Sequence, residues 1–168
     1  MAIESESNID YLSLARKLEK PVREAGQDIL DIYYQGSAVQ IKDDVRPVTK
    51  ADLASEAIVL PARSVAAPSI QIVSEENATS HGLAVTDRFF LVDPLDGTKE
   101  FLKADNKGAF TVNIGLVECG VPVMGIVYAP ALGRLFFGAR DSGAVEMFGN
   151  VCRKIEVRKA PAEGWTAV

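Results

Sequence analysis

The chain has 168 residues, a formal charge of −5 and 48% apolar side chains. That length fits one domain of about 100 to 200 residues, so residues 1–168 read as a single unit with enough apolar content for a core. The acidic balance without basic clusters argues against a duplex-binding surface, so no nucleic-acid partner is expected, and no run approaches the roughly 18 apolar residues of a membrane span.

In chain order, the segment Met1 to Ser7 is acidic and polar, which is the wrong charge for an export signal. Leu18, Val22, Ala25, Ile29 and Ile32 recur at helical spacing, with Pro21 starting or kinking the segment and Gly36 as its stop. A second helix is predicted from Asp52 toward Ala66, interrupted by Pro61. At its start, Thr49-Lys50-Ala51-Asp52 has the form of a helix capping box. Ile70 to Val73 reads as a short buried strand ending in Ser74-Glu75-Glu76-Asn77. His81, in the polar stretch Ala78 to Gly82, reads as a solvated loop residue rather than a base. From Ala109 the pattern changes to strands at Phe110 to Val117, Val121 to Tyr128 and Leu135 to Gly138, with further edges at Ala144 to Phe148 and Ile155 to Val157. The separators Cys119-Gly120 and Ala131 to Arg134 make this an antiparallel meander. Helices followed by a mostly antiparallel sheet predict an α+β layered fold. Cys119 and Cys152, lacking close spacing or a nearby histidine, read as incidental and fit a reducing cytosol.

The chemistry concentrates in Asp93-Pro94-Leu95-Asp96-Gly97-Thr98-Lys99-Glu100-Phe101, directly after the apolar strand Phe89 to Val92. Asp93 is expected to end that strand, where ligands of α/β sheets gather. Pro94 then turns the chain so that Asp96 comes round beside Asp93. Gly97 allows close backbone approach to an anion, and Thr98 is placed as the cap of a short helix whose free amides favour phosphate. Alone, an Asp-x-x-Asp-Gly reads as a capped turn, and Glu75-Glu76 reads as a solvated pair. Two strands ending in carboxylates together would repel strongly unless cations neutralised them. All proposed donors are oxygen, which points to magnesium and not zinc.

The nine-residue run resembles the metal-binding signature of the inositol monophosphatase superfamily. Ser74-Glu75-Glu76, the Lys99-Glu100 pair, Phe110 to Ile114 and Val123 to Pro130 are similar to its 3'(2'),5'-bisphosphate nucleotidase branch, the CysQ type. The resemblance implies the sugar-phosphatase αβαβα sandwich, with this chain as its N-terminal part. It implies Glu75, Asp93, the Leu95 carbonyl and Asp96 as metal ligands, with Asp93 shared by two magnesium ions. Glu75, Leu95, Asp96, Gly97 and Thr98 become the substrate-binding set, the last two through their amides. Thr98 and Asp52 would orient an attacking water activated by metal, and Glu76 would stand behind the ligands as a further acid. Asp52 as a cap and Asp52 as a catalytic residue are both compatible with the sequence.

The implied reaction is magnesium-dependent removal of the 3'-phosphate of adenosine 3',5'-bisphosphate, or of its sulfated form, in sulfur assimilation. Inositol monophosphatase or another sugar-phosphatase activity is the alternative, and a non-catalytic metal-binding module the alternative of another class. The implied setting is cytoplasmic, with the inner-membrane surface and a homodimer also allowed. The superfamily's Trp-Asp motif has no match, since Trp165 is followed by Thr166. The chain is therefore expected to be an N-terminal fragment, weak or inactive alone.

Overall fold

The computed structural model describes residues 10–35, 39–41, 47–49, 53–54, 56, 69–82, 84, 86–103 and 108–164. Helix α1 (Tyr11–Gln35) comes first, followed by an antiparallel pair of short strands, β1 (Val39–Ile41) and β2 (Pro47–Thr49). Next come β3 (Gln71–Ser74), α2 (Ala78–His81), β4 (Arg88–Asp96) and α3 (Thr98–Lys103). The chain then runs through β5 (Thr111–Glu118), β6 (Val121–Ala129), a 3-10 turn (Pro130–Leu132), β7 (Arg134–Ala139), β8 (Gly143–Phe148) and β9 (Val151–Ile155). Strands β3 to β9 form one seven-stranded sheet in sequence order. Only β3 and β4 are parallel; every later pair is antiparallel, as the meander predicts.

Period-two alternation gives the sheet its covered face. Val112, Ile114 and Leu116 of β5 are buried, whereas Thr111, Asn113 and Gly115 between them are half-buried. Against the covered face α1 lays Leu14, Leu18, Val22, Ala25, Ile29 and Tyr33, and the joint core includes Phe90, Ile126 and Leu135. Each large side chain so buried contributes about 1.5–3 kcal/mol. The helix comes close because Gly26 faces the sheet: a β-carbon there would stand 2.3 Å from Tyr128 Cε1. At the far end of the sheet from Asp93, the Tyr11 hydroxyl and the Arg88 guanidinium both donate to the Glu118 carboxylate, tying the start of α1 to β4 and β5.

Three expectations change. Of the two roles expected for Pro21, it does not start α1, which begins ten residues earlier, where Asp10 Oδ1 accepts the Ser13 N–H at 3.0 Å. Leu14, Ala15 and Leu18 extend the apolar stripe upstream of the proline, and the donor it removes faces the carbonyl of exposed Lys17. The last strand is Val151–Ile155 and not Ile155 to Val157, because the Gly149-Asn150 turn brings Val151 directly opposite Phe148. Tyr33 and not Ile32 is the buried residue near the end of α1. The second predicted helix lies outside the described residues except at Leu53, Ala54 and Glu56, which are helical.

Replacing Gly26 by alanine forces a β-carbon against the Tyr128 ring and Pro130. The Gly26→Ala variant is expected to lose about 1–3 kcal/mol in urea unfolding, read as a lower midpoint at unchanged slope.

Candidate active site

The site begins with the parallel step between β3 and β4. Ser74 lies opposite Val92, and the Glu75 N–H donates to the Val92 carbonyl at 3.0 Å, so the ladder runs on past β3 and delivers Glu75 beside Asp93. The Asp93 carboxyl is pushed up from 3.8 to about 7, first by burial, then by the charge of Glu75, a hydrogen bond shared with Glu75, and the charge of Asp96. Only the Leu95 N–H, donating to Asp93 Oδ1 at 3.1 Å, pulls the other way. Two carboxyl groups that share a hydrogen bond need a proton between them.

Strand β4 does not end at Asp93, as the sequence suggested, but runs on to Asp96 with a break in register. Asp93 lies opposite Asn113 and Asp96 opposite Thr111, so three steps on β4 match two on β5. The extra residue is a bulge, placed where Pro94 has no N–H to give to a ladder. Its consequence is one of parity. Asn113 and Thr111 share a face, so the bulge puts Asp96 on the same face as Asp93, which an unbroken strand would have prevented. Asn113 Nδ2 reaches Asp96 Oδ2 at 3.4 Å and Thr111 Oγ1 at 3.0 Å. Sequence reasoning did not single out Asn113 as a site residue; its signal was a polar residue in the outward series of an otherwise apolar strand.

Gly97 carries a φ of +86°, and a β-carbon there would lie 2.6 Å from the Ala109 carbonyl oxygen. This left-handed turn starts the helix one residue sooner than expected. Gly97 O accepts the Phe101 N–H at 2.9 Å, while Thr98 is the first helical residue and no side-chain cap. The Thr98 hydroxyl instead donates to the Leu95 carbonyl at 3.2 Å. Helix α3 is held down by Phe101, whose ring centroid lies 5.4 Å from that of Tyr33 and 5.3 Å from that of Phe110.

His81 is exposed, as expected, but lies in a short helix rather than a loop. It closes α2, and its Nε2 lies 2.7 Å from the Ser74 carbonyl oxygen. With Glu75, Leu91, Asp93, Asn113 and Gly115 it lines a cleft of about 310 Å³. A larger cleft, of about 440 Å³ beside Arg134, Glu146 and Arg153, lies away from these carboxylates, and its own carboxyl group is taken up by both arginines.

Glu75, Asp93 and Asp96 therefore share one sheet end, with half-buried Glu76 next to Glu75 and the Leu95 carbonyl next to Thr98. Asp52 lies outside the described residues. Among the described residues no three His, Cys, Asp or Glu side chains stand close enough to form a ready cage; the tight contact is Glu75 with Asp93. The donors are all oxygen, and the Leu95 carbonyl keeps a second lone pair beyond the one Thr98 uses, a set that suits a hard cation. No described helix is long and apolar enough to cross a membrane.

Comparison with known proteins places the chain in a family. The 3'(2'),5'-bisphosphate nucleotidase CysQ of Salmonella typhimurium is 40% identical over 141 residues, covering 82% of this chain and 56% of that protein. A crystal structure of CysQ from Bacteroides thetaiotaomicron, a bacterial member of the inositol monophosphatase family, superposes with a TM-score of 0.65 at 32% identity over 91% of this chain and 55% of that one. The extragenic suppressor protein suhB of Bartonella henselae gives a TM-score of 0.70 at 28% identity, over 88% and 56% of the two chains. The chain thus spans about half the length of the relatives it matches. A model of the inositol monophosphatase family matches residues 11–166. On the strength of that match and of these relatives, the chain belongs to the inositol monophosphatase family.

Proposed function

We propose that these residues serve a magnesium-dependent phosphatase that removes the 3'-phosphate of adenosine 3',5'-bisphosphate, a cytoplasmic reaction linked to sulfur assimilation. The observation that carries this reading is the convergence of Glu75, Asp93 and Asp96 at one sheet end, fixed by the β3–β4 register and by the bulge in β4. Carboxylates forced together at a half-buried sheet end need positive charge, and a divalent cation supplies more of it than a proton does. The nucleotidase substrate is favoured over inositol phosphates because identity reaches 40% with a CysQ 3'(2'),5'-bisphosphate nucleotidase.

Each residue then has a task. Glu75, Asp93, Asp96 and the Leu95 carbonyl hold the metal, and Asn113 keeps Asp96 turned toward Asp93. These oxygens would suit magnesium, which when bound would supply positive charge and a more acidic water. The Gly97 and Thr98 amides, presented by the left-handed turn, bind the phosphate oxygens. The Thr98 hydroxyl gives its proton to Leu95, so its lone pairs are left to accept from the attacking water, with Asp52 as the proposed second orienting group and Glu76 as the supporting acid. Residues 1–168 act as one domain in this scheme.

In a protein carrying these residues over the full length of its relatives, phosphate release from adenosine 3',5'-bisphosphate should exceed that from inositol 1-phosphate; the reverse order would reject the nucleotidase assignment in favour of a sugar phosphatase. Asp96→Asn removes one anionic donor and should weaken magnesium binding and phosphate release by about a hundred-fold with little change in melting temperature. Gly97→Ala, strained at positive φ and blocked by the Ala109 carbonyl, should lose about 1–2 kcal/mol of stability together with phosphate release. In chelator, the folded chain keeps a proton on Asp93 that the unfolded chain surrenders near 3.8, so stability should fall as pH rises from 3.8 to about 7 and then level off. Thermal melts should show that slope vanish in Asp93→Asn, and magnesium should raise the melting temperature more at alkaline than at acid pH.

A further inference from the structure

We propose that Ser80 and His81 of α2 are positioning residues that set Glu75 for cation binding by gripping the backbone of Ser74. The proposal rests on the assignment of Glu75 as a metal ligand and adds residues that assignment does not contain. Ser74 is fully buried at the end of β3, the edge strand of the sheet among the described residues, and its outward polar groups are met by side chains and a turn. Helix α2 supplies those side chains. The Ser74 N–H donates to Ser80 Oγ at 3.1 Å, and the Ser74 carbonyl accepts from His81 Nε2 at 2.7 Å and from the Asn77 N–H at 3.2 Å.

The division of labour comes from counting protons. Ser80 Oγ has one hydrogen and two candidate acceptors, the Asn77 carbonyl at 2.6 Å and the Ser74 carbonyl at 3.2 Å, and the shorter bond takes it. The imidazole is then the only side chain donating to the Ser74 carbonyl from within α2, and because a carbonyl can only accept, Nε2 must carry the hydrogen. Ser80 is itself 6% exposed, so its bonds are made in a dry setting. On its other side Ser74 Oγ donates to Glu56 Oε1 at 2.7 Å. The Ser74 peptide is thereby held from three directions, and the next residue along is Glu75, whose own N–H is held by Val92. The φ and ψ of this junction decide whether the Glu75 carboxylate meets Asp93. Partners that orient ligands in this way commonly govern metal affinity without touching the metal.

The test compares His81→Ala with His81→Gln, whose side-chain amide retains a donor, in the full chain. Two quantities are read: hydrogen exchange at the Glu75 amide in metal-free protein, and magnesium affinity by calorimetry with magnesium chloride as the only ligand. His81→Ala should quicken exchange at Glu75 while leaving that of the core residue Ile114 unchanged, and should weaken magnesium binding about ten-fold. His81→Gln should restore both. Equal behaviour of the two variants, or no change of exchange and affinity in His81→Ala, would overturn the proposal. An unsubstituted chain that binds no magnesium would sink the carboxylate assignment itself, whereas binding left intact by His81→Ala sinks the positioning role alone.

Discussion

Glu75 and Asp93 face each other across the only parallel step in the sheet, and the rest of the molecule is arranged around that contact. In a parallel pair both strands finish at the same end, so the residues leaving each strand arrive at one place. An antiparallel partner would have put the residue after Ser74 at the opposite end of β4. Bringing two acids together at that place costs stability, and burial together with the charge of Glu75 pushes the Asp93 carboxyl upward. The helix α1 and the antiparallel strands beyond β4 supply the apolar burial that holds the arrangement against this repulsion.

Two backbone irregularities add further groups to the pair of acids. The bulge at Pro94 and Leu95 resets the alternation of β4, so Asp96 joins Asp93 on one face when its number alone would place it on the other. The left-handed Gly97 then reverses the chain into α3, packed by Phe101 on Tyr33 and Phe110. Tyr33 comes from α1, so the long helix both covers the sheet and anchors the turn that presents the Gly97 and Thr98 amides. The sheet edge at β3 is closed by α2, which makes the loop after Glu75 part of the scaffold.

The α+β layering, the meander from β5 to β8 and the acids at residues 75, 93 and 96 were legible because each rests on local pattern: strand alternation, Gly-containing turns, and a dense motif after an apolar run. The start of α1 was misplaced at Pro21 because the apolar stripe was read only from Leu18 onward, without Leu14 and Ala15. Thr98 misled because the cap assignment presumed an ordinary backbone at Gly97, whose positive φ starts the helix earlier. The contacts of His81 with Ser74 and of Asn113 with Asp96 were illegible, since the first depends on a short helix folding back on β3 and the second on pairing across the sheet.

By itself the sequence determined the kinds of group available: oxygen donors in two clusters, a proline and a glycine where the backbone must depart from regular geometry, and apolar positions that must be buried. These are properties of single residues and their near neighbours. Which groups meet was decided only by the tertiary structure, through the parallel register of β3 on β4, the bulge that sets the face of Asp96, and the closure of the β3 edge by Ser80 and His81. The physical reason is that strand register and edge contacts are collective, set by the packing of the whole sheet against α1, and no local stretch encodes them alone.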